Sequence, residues 1–488
     1  MVDISALAKK SSAGSGGSRP WQLAESVLSG TRDVHRLADF HRWFADLGQR
    51  FYTEVDRIPL PGLSGWRLDP GTGNLGHDNG RFFTVEGLEV RVPGGPVERW
   101  SQPIINQPEI GILGILVKRF GGVLHFLMQA KVEPGNHNGL QLSPTVQATR
   151  SNYTRAHHGK PVPYLDYFLR SARHGVLTDV RQSEQGSWFY RKRNRNVVLE
   201  VTEEVEVLDG FCWLTLGQLH SLLTAGDLVN MDSRTVLSCL PFSGAGLLEA
   251  FAPAGDDFRA SVIRSCSEDE GSRHSTVDIL SWITEVRTHS EVHTRLVPLA
   301  GLAGWRRTDD AITHENGRFF EVIGVRVRAG GREVGEWTQP MIRAYRTGVV
   351  AFLVKRVDGV LHALVHARLE PGYLDVAELA PTVQCVPENY DHLPTAARPR
   401  FLDEVLTAPE DRIRFDATLS EEGGRFYHAR NRYLVVETDE DRELDHPDFR
   451  WLPLHQLVHL LRHSHYVNIQ ARSLVACLHS LTAPPPAS

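Results

Sequence analysis

The sequence predicts an α+β chain made of two tandem, duplicated domains, with mixed sheets and flanking helices. Three observations lead there: a long unit is written twice, each copy carries a strong hairpin signal, and a helical pattern follows the late strands of each copy. "NGRFF" begins at Asn79 and again at Asn316, a shift of 237 positions. The same shift carries Trp100 of "W-x-Q-P" to Trp337, "LVK" from 116 to 353, "GVLH" from 122 to 359 and "EPG" from 133 to 370. It also carries Arg193-Asn194-Arg195 to Arg430-Asn431-Arg432. Outside that span the register drifts by one or two, so that Trp43 and Trp66 match Trp282 and Trp305, and Val229-Asn230 matches Val467-Asn468. The period is too long for a solenoid, so each copy is expected to be a domain. The expected division is a disordered tail over 1–20, a first repeat over 21–242, a linker over 243–275 and a second repeat over 276–488. The linker assignment rests on "SGAG" and the polar "SEDEGSRHS".

Within a copy the elements follow from local patterns. "DVHRLADFHRWFADLGQRF" places apolar residues at 37, 40, 43, 44 and 47, which is helical spacing. "GILGILVKRF" and "GVLHFLMQAKV" meet at Gly121-Gly122, and the matching strands of the second copy meet at Asp358-Gly359; both pairs suit a two-residue hairpin turn. Strands are expected at "SWFYRKRNRNVVLEV" and "GRFYHARNRYLVVET", and helices at "LGQLHSLLTAG" and "LHQLVHLLRHS".

Composition narrows the function. A net charge of −6 without blocks of like charge speaks against a nucleic-acid or membrane surface. No apolar run is long enough to span a bilayer, and "MVDISALAKKSSAGSGGSRP" has no apolar segment of the signal-peptide kind. The five cysteines are scattered without C-x-x-C spacing, which fits a reducing cytoplasm and disfavours a disulfide framework or zinc site. No G-x-G-x-x-G opens a helix after a strand and no Walker A is present, which disfavours nicotinamide and P-loop sites.

Alternation along the second hairpin strand puts Leu124, Phe126, Met128, Ala130 and Val132 on a core face and His125, Gln129 and Lys131 on the other. The second face is either a solvated sheet surface or the polar floor of a pocket. Seven of twelve positions agree between "LSPTVQATRSNY" (142–153) and "LAPTVQCVPENY" (379–390), ending in Asn152-Tyr153 and Asn389-Tyr390. Such a Tyr stacks on a base or bonds a phosphate; the alternative is a turn with a buried ring. Trp66 and Trp305, in "GLSGW" and "GLAGW", are packing anchors or ligand platforms. The twin "RNR" segments are cations for a diphosphate, or charges on an edge strand.

The chain resembles the NDP-hexose 2,3-dehydratases of antibiotic deoxysugar biosynthesis over nearly its whole length. The resemblance is carried by "RWSQPIINQPEIGILGILVK", "GVLHFLMQAKVEPGNHNGLQLSPTVQATRSNY" and "APTVQCVPENY". It implies a duplicated Nudix-like fold, a homodimer, dTDP-4-keto-6-deoxyglucose as substrate, and two dTDP-sugar pockets per chain, one active and one a relic. It further implies pocket residues Trp66, Thr149, Arg150, Ser151, Asn152, Tyr153 and Ser187 in one site. For the other it implies Trp305, Gln384, Cys385, Val386, Pro387, Glu388, Asn389 and Tyr390 with Glu422, Gly423, Gly424 and Arg425. The glutamate run with which Nudix hydrolases hold magnesium has no counterpart after Glu133-Pro134-Gly135, and the second copy offers only Asp375, Glu378 and Glu388 at unsuitable spacing.

In a 4-ketohexose the C3 proton is acidic because it lies alpha to the carbonyl. A base removes it, donors stabilise the enolate oxygen, and an acid must help the C2 hydroxyl leave. The resulting enol tautomerises to a 3,4-diketone for a downstream 3-ketoreductase, with neither a redox cofactor nor a metal required. Glu133, His125, Lys131, His77 and Asp78 are the acid–base candidates, with Tyr153 as a further donor, and the first copy's pocket is the expected active one. The rivals are a Nudix-type nucleotide-sugar pyrophosphatase and a non-catalytic nucleotide-sugar binding protein.

Overall fold

Each hairpin lies within a seven-stranded mixed sheet in the computed structural model, which describes residues 17–30, 34–153, 161–251, 258–330, 335–439, 444 and 446–484. In the first copy Gly111–Phe120 and Val123–Val132 pair antiparallel across Gly121-Gly122, both at positive φ, as the two-residue turn requires. Arg193–Glu200 runs parallel to Gly111–Phe120 on its other side, Gly175–Ser183 closes one edge, and Phe211–Thr215 pairs with Val123–Val132. The second copy repeats this order with Gly348–Val357, Val360–Leu369, Arg430–Glu437, Ile413–Ser420 and Phe449–Pro453. The expected helices are present as Leu37–Arg50, Leu216–Leu223 and Leu454–Leu461.

The central strands of each large sheet are covered on both faces. Leu124, Phe126 and Met128 join one core cluster, while Leu127 on the opposite face packs with Val197 and Trp213 in another. The first cluster draws on both copies, with Leu237 and Val236 beside Leu474 and Val475, because the helices Met231–Ser238 and Ile469–Ser480 pack against each other. Two fully buried arginines fasten that junction. Arg234 donates to Val229 O and, across the copies, to Ser420 O, each at 2.6 Å. Arg472 donates to Val467 O at 2.7 Å and across to Ser183 O. A guanidinium buried with its donors satisfied is tolerated; stripped of these carbonyls it costs several kcal/mol.

The copies also trade strands. Thr53–Ile58 of the first copy pairs antiparallel with Phe320–Ala329 of the second, and His293–Val297 of the second pairs with Thr84–Arg91 of the first. Each five-stranded outer sheet is therefore chimeric.

The expected linker 243–275 contains regular structure. It carries the helix Phe258–Ser265, whose Ser265 hydroxyl donates to Leu361 O at 2.6 Å and accepts from Leu454 N. In the first copy Ser26, in the helix Arg19–Leu28, donates to Leu124 O at 2.6 Å and accepts from Leu216 N. The segment is thus the opening helix of the second repeat. Its small polar residues hid a buried face. Of the expected tail, residues 1–16 lie outside the described residues, and Arg19 already bonds Glu200.

The "EPG" motifs mark where the copies interlock. Gly135 N donates to Gly423 O at 2.7 Å and Gly135 O accepts from His428 N at 2.9 Å. Gly372 N donates to Gly186 O at 2.7 Å and Gly372 O accepts from Arg191 N at 2.8 Å. A Cβ on Gly135 would lie 1.8 Å from Phe426 O, and one on Gly372 1.9 Å from Phe189 O. Backbone meets backbone, so nothing flexible can yield. Gly135→Ala and Gly372→Ala are each expected to lower the unfolding free energy by about 3 kcal/mol or more, or to abolish soluble expression. Gly48→Ala, at a helical position with open space around it, is expected to raise stability by about 0.5–1 kcal/mol. Urea titration of the three variants checks both statements.

Candidate functional site

Two clefts lie where the interlocked loops meet the sheets, and each takes residues from both copies. The first is floored by Lys131, Glu133 and Gln147 of the first sheet and roofed by Trp66, His77 and Phe83. Glu184, Lys192, Asn194 and Asp232 of the first copy complete it, with Thr338, Gln339, Glu422, Gly424 and Arg425 of the second. The second cleft has Arg368, Glu370 and Gln384 as its floor, and Trp305, Ser187, Trp188 and Gln102 around it.

The shared parts are built alike. Gln147 donates to Glu133 at 2.7 Å while its carbonyl accepts from Asn230 at 3.1 Å; Gln384 donates to Glu370 at 3.0 Å and accepts from Asn468 at 2.8 Å. Trp66 donates across the copies to Thr338 O at 2.8 Å, and Trp305 to Ser101 O at 2.7 Å. Each tryptophan is therefore a packing anchor that also lines a cleft.

The clefts differ in charge. At the positions of Lys192, Asp232, Glu422 and Arg425 in the first cleft, the repeat places Ala429, Gln470, Gln185 and Trp188. Two amides orient the Glu422 carboxylate, Gly424 N at 3.0 Å and Arg425 N at 2.7 Å. Burial, then the charge of Glu133, pushes Glu422 up to about 7. Burial lowers Lys192 to about 8, against the opposing pull of Glu184. Glu184 is itself raised by burial and accepts from Asn194 at 2.6 Å. Arg425 lies over the Phe83 ring, 4.4 Å from its centroid.

Buried polar atoms without a protein partner cluster in the first cleft: Gln107 Nε2, Thr149 Oγ1, Glu184 Oε2, Asp232 Oδ1 and Arg425 Nε. Among the described residues that line the second cleft, Glu370 Oε2 alone is in that condition. Native proteins rarely leave such atoms unpaired, and a set converging on one cavity is what a polar ligand would satisfy.

Of the residues that the sequence singles out, Lys131, Glu133, His77, Trp66 and Thr149 do come together in the first cleft. His125 does not: it is wholly buried, its Nδ1 3.0 Å from Val123 O and its Nε2 accepting from Val34 N, because its face of the sheet is core. Asp78 stands outside on an exposed turn, 3.9 Å from Arg67. Ser151 is buried with its amide on Glu109 at 2.9 Å, and Arg150 begins the short helix Arg150–Tyr153. The side chains of Asn152 and Tyr153 lie outside the described residues.

Gln384, Val386, Asn389, Tyr390 and Trp305 line the second cleft, whereas Cys385, Pro387 and Glu388 of the same segment do not. The grouping of the loops is corrected: Ser187 belongs to the second cleft, and Glu422, Gly424 and Arg425 to the first, because the interlocked loops cross. Gly423 lies under them against Glu133 and Asn136. The "RNR" arginines are also reassigned. Arg195 is paired with Asp179 and Arg432 with Asp416, on strands inside their sheets, while the middle Asn194 reaches the cleft. Sequence reasoning missed Gln107, Glu184, Lys192 and Asp232. The signal for the last two was a charge in one copy facing Ala429 or Gln470 in the other.

Comparison with known proteins gives matches along nearly the whole chain. The family model for NDP-hexose 2,3-dehydratase matches residues 37–240 and 276–478, one match per copy. A protein of Saccharopolyspora spinosa named dTDP-4-dehydro-6-deoxy-alpha-D-glucopyranose 2,3-dehydratase is 54% identical over 470 residues, 96% of each chain. Proteins of the same name from Amycolatopsis orientalis and Streptomyces violaceoruber are 48% and 49% identical, covering 92% and 91% of this chain and 92% and 97% of theirs. With both copies matched and nearly the full length aligned, the chain belongs to the NDP-hexose 2,3-dehydratase family.

Proposed function

We propose that the chain is a hydro-lyase that removes the C2 hydroxyl of dTDP-4-dehydro-6-deoxyglucose as water, and that the first cleft does this chemistry. The convergence of unpaired buried polar atoms on that cleft carries the assignment. The second cleft is the roomier, about 1160 Å³ against about 250 Å³. Volume serves binding; acid–base work needs titratable groups, and Lys192, Asp232, Glu422 and Arg425 of the first cleft correspond in the repeat to the non-ionisable Ala429, Gln470, Gln185 and Trp188. The second cleft is accordingly the relic. The Nudix-like ancestry, a homodimer and a 3-ketoreductase that consumes the unstable diketone belong to the same reading.

Features common to both clefts suit binding: the tryptophan roof, the Lys131 or Arg368 cation, and the Glu–Gln–Asn chain beneath. Features of the first cleft alone suit the reaction. Glu422 is the base for the C3 proton, since its carboxylate is aimed by two amides and poised near neutrality. Lys192, itself buried, and Arg425 are the cations available to the C4 oxygen as it gains charge.

Incubation with the 4-keto sugar nucleotide, a 3-ketoreductase and NADPH is expected to yield a product lighter by one water. Release of dTMP with magnesium, or binding of dTDP-glucose without turnover of the keto sugar, would favour one of the rivals instead. Glu422→Gln is expected to lower kcat by about 10²- to 10⁴-fold, whereas Asn389→Ala in the second cleft leaves kcat essentially unchanged; a steady-state assay of both variants decides. Glu422 acts ionised and Lys192 acts protonated. The kcat profile is therefore expected to rise as pH passes about 7 and to fall beyond about 8.

A further inference from the structure

Asp232 stands in the first cleft with no task yet. It is the second residue of the helix Met231–Ser238, whose cap is Asn230, accepting from Ser233 N at 2.8 Å. The second copy has the same turn, Asn468 accepting from Ala471 N at 2.9 Å, but with Gln470 in place of the aspartate. A helix start favours a carboxylate anion. Here the surroundings outweigh it. Asp232 is 4% exposed and its Oδ1 has no hydrogen-bond partner. Three carboxylates face it, Glu184, Glu133 and Glu422, with Lys131 as the opposing cation. Burial first, and those carboxylates second, hold a proton on Asp232 well above the usual carboxylate range.

A neutral carboxylic acid beside a neutral-range carboxylate is the pairing that an elimination needs, because hydroxide leaves poorly without a proton. We propose that Asp232 is the proton donor to the departing C2 hydroxyl, an assignment that rests on the first cleft being the dehydration site. The electrons balance without a further reactant. Glu422 takes the C3 proton, and the C3–H pair forms the C3–C4 double bond of the enolate. As the C4 carbonyl reforms, that pair moves to make C2=C3 and the C2–O bond breaks onto oxygen, which leaves with the Asp232 proton as water. The C3 enol then ketonises, moving its hydroxyl proton to C2. Glu422, now protonated and facing Asp232, returns the proton and resets both groups.

The test compares the natural substrate with its 2-deoxy-2-fluoro analogue, since fluoride departs as an anion and needs no proton. Asp232→Asn and Asp232→Gln are made side by side; the second installs the amino acid that this same turn already tolerates in the other copy. Both are expected to lose about 100-fold or more in kcat for water loss with KM near wild type, yet to release fluoride within a few-fold of the wild-type rate. Glu422→Gln is expected to release neither. Water loss by both Asp232 variants at the wild-type rate, or equal loss of fluoride release and water loss, would overturn the assignment. A wild-type chain that removes neither group would instead overturn the functional reading, and this assignment with it.

Discussion

Two main-chain crossings hold this molecule in its working form: Gly135 against Gly423 and His428, and Gly372 against Gly186 and Arg191. Each brings a loop of one copy so near the sheet end of the other that a methyl group has nowhere to go. The geometry of the clefts follows. Glu422 and Arg425 reach the first cleft because their loop is pinned over Glu133, and Ser187 and Trp188 reach the second for the same reason. Strand exchange and the buried pair Arg234 and Arg472 extend the interlock through the body of the chain. Each copy supplies a strand to the other's outer sheet and a loop to the other's cleft.

Duplication also lets the two clefts bury different sets of charges. A cleft that only binds can stay near neutral; one that moves protons must bury charges, each at a cost of several kcal/mol unless paired or protonated. The first cleft meets that cost by mixing signs: Lys131, Lys192 and Arg425 against Glu133, Glu184 and Glu422, with Asp232 held neutral. The second keeps the ion pair Arg368–Glu370 at 2.9 Å on its floor, near His366 stacked on Phe449, with Arg318, Arg398, Arg400 and Asp448 also along its lining.

Local features were legible in the sequence. Gly121-Gly122 and Asp358-Gly359 marked their turns, the apolar spacing from Leu37 marked its helix, and the repeated motifs marked the duplication, since each depends on neighbours in the chain. Partnership across the copies was not legible. Nothing in "TEVDRI" says that it pairs with Phe320–Ala329 of the other copy, because two sister strands offer the same alternation and differ only in where the loops let them go. "EPG" was visible as a repeat, but its reason is a contact with residues far along the chain. His125 misled because a polar residue on an alternating strand reads as pocket or solvent. Here it sits in a core, clamping a loop amide, as His362 does for Arg273 N in the second copy.

The most direct measurement is a crystal structure with dTDP-glucose, which lacks the 4-keto group and cannot react. The expected result is a hexose in the first cleft with its C2 hydroxyl within hydrogen-bond reach of Asp232 and its C3 facing Glu422. A hexose bound in the second cleft alone, or one whose C2–C3 edge turns away from both carboxyl groups, would contradict the account.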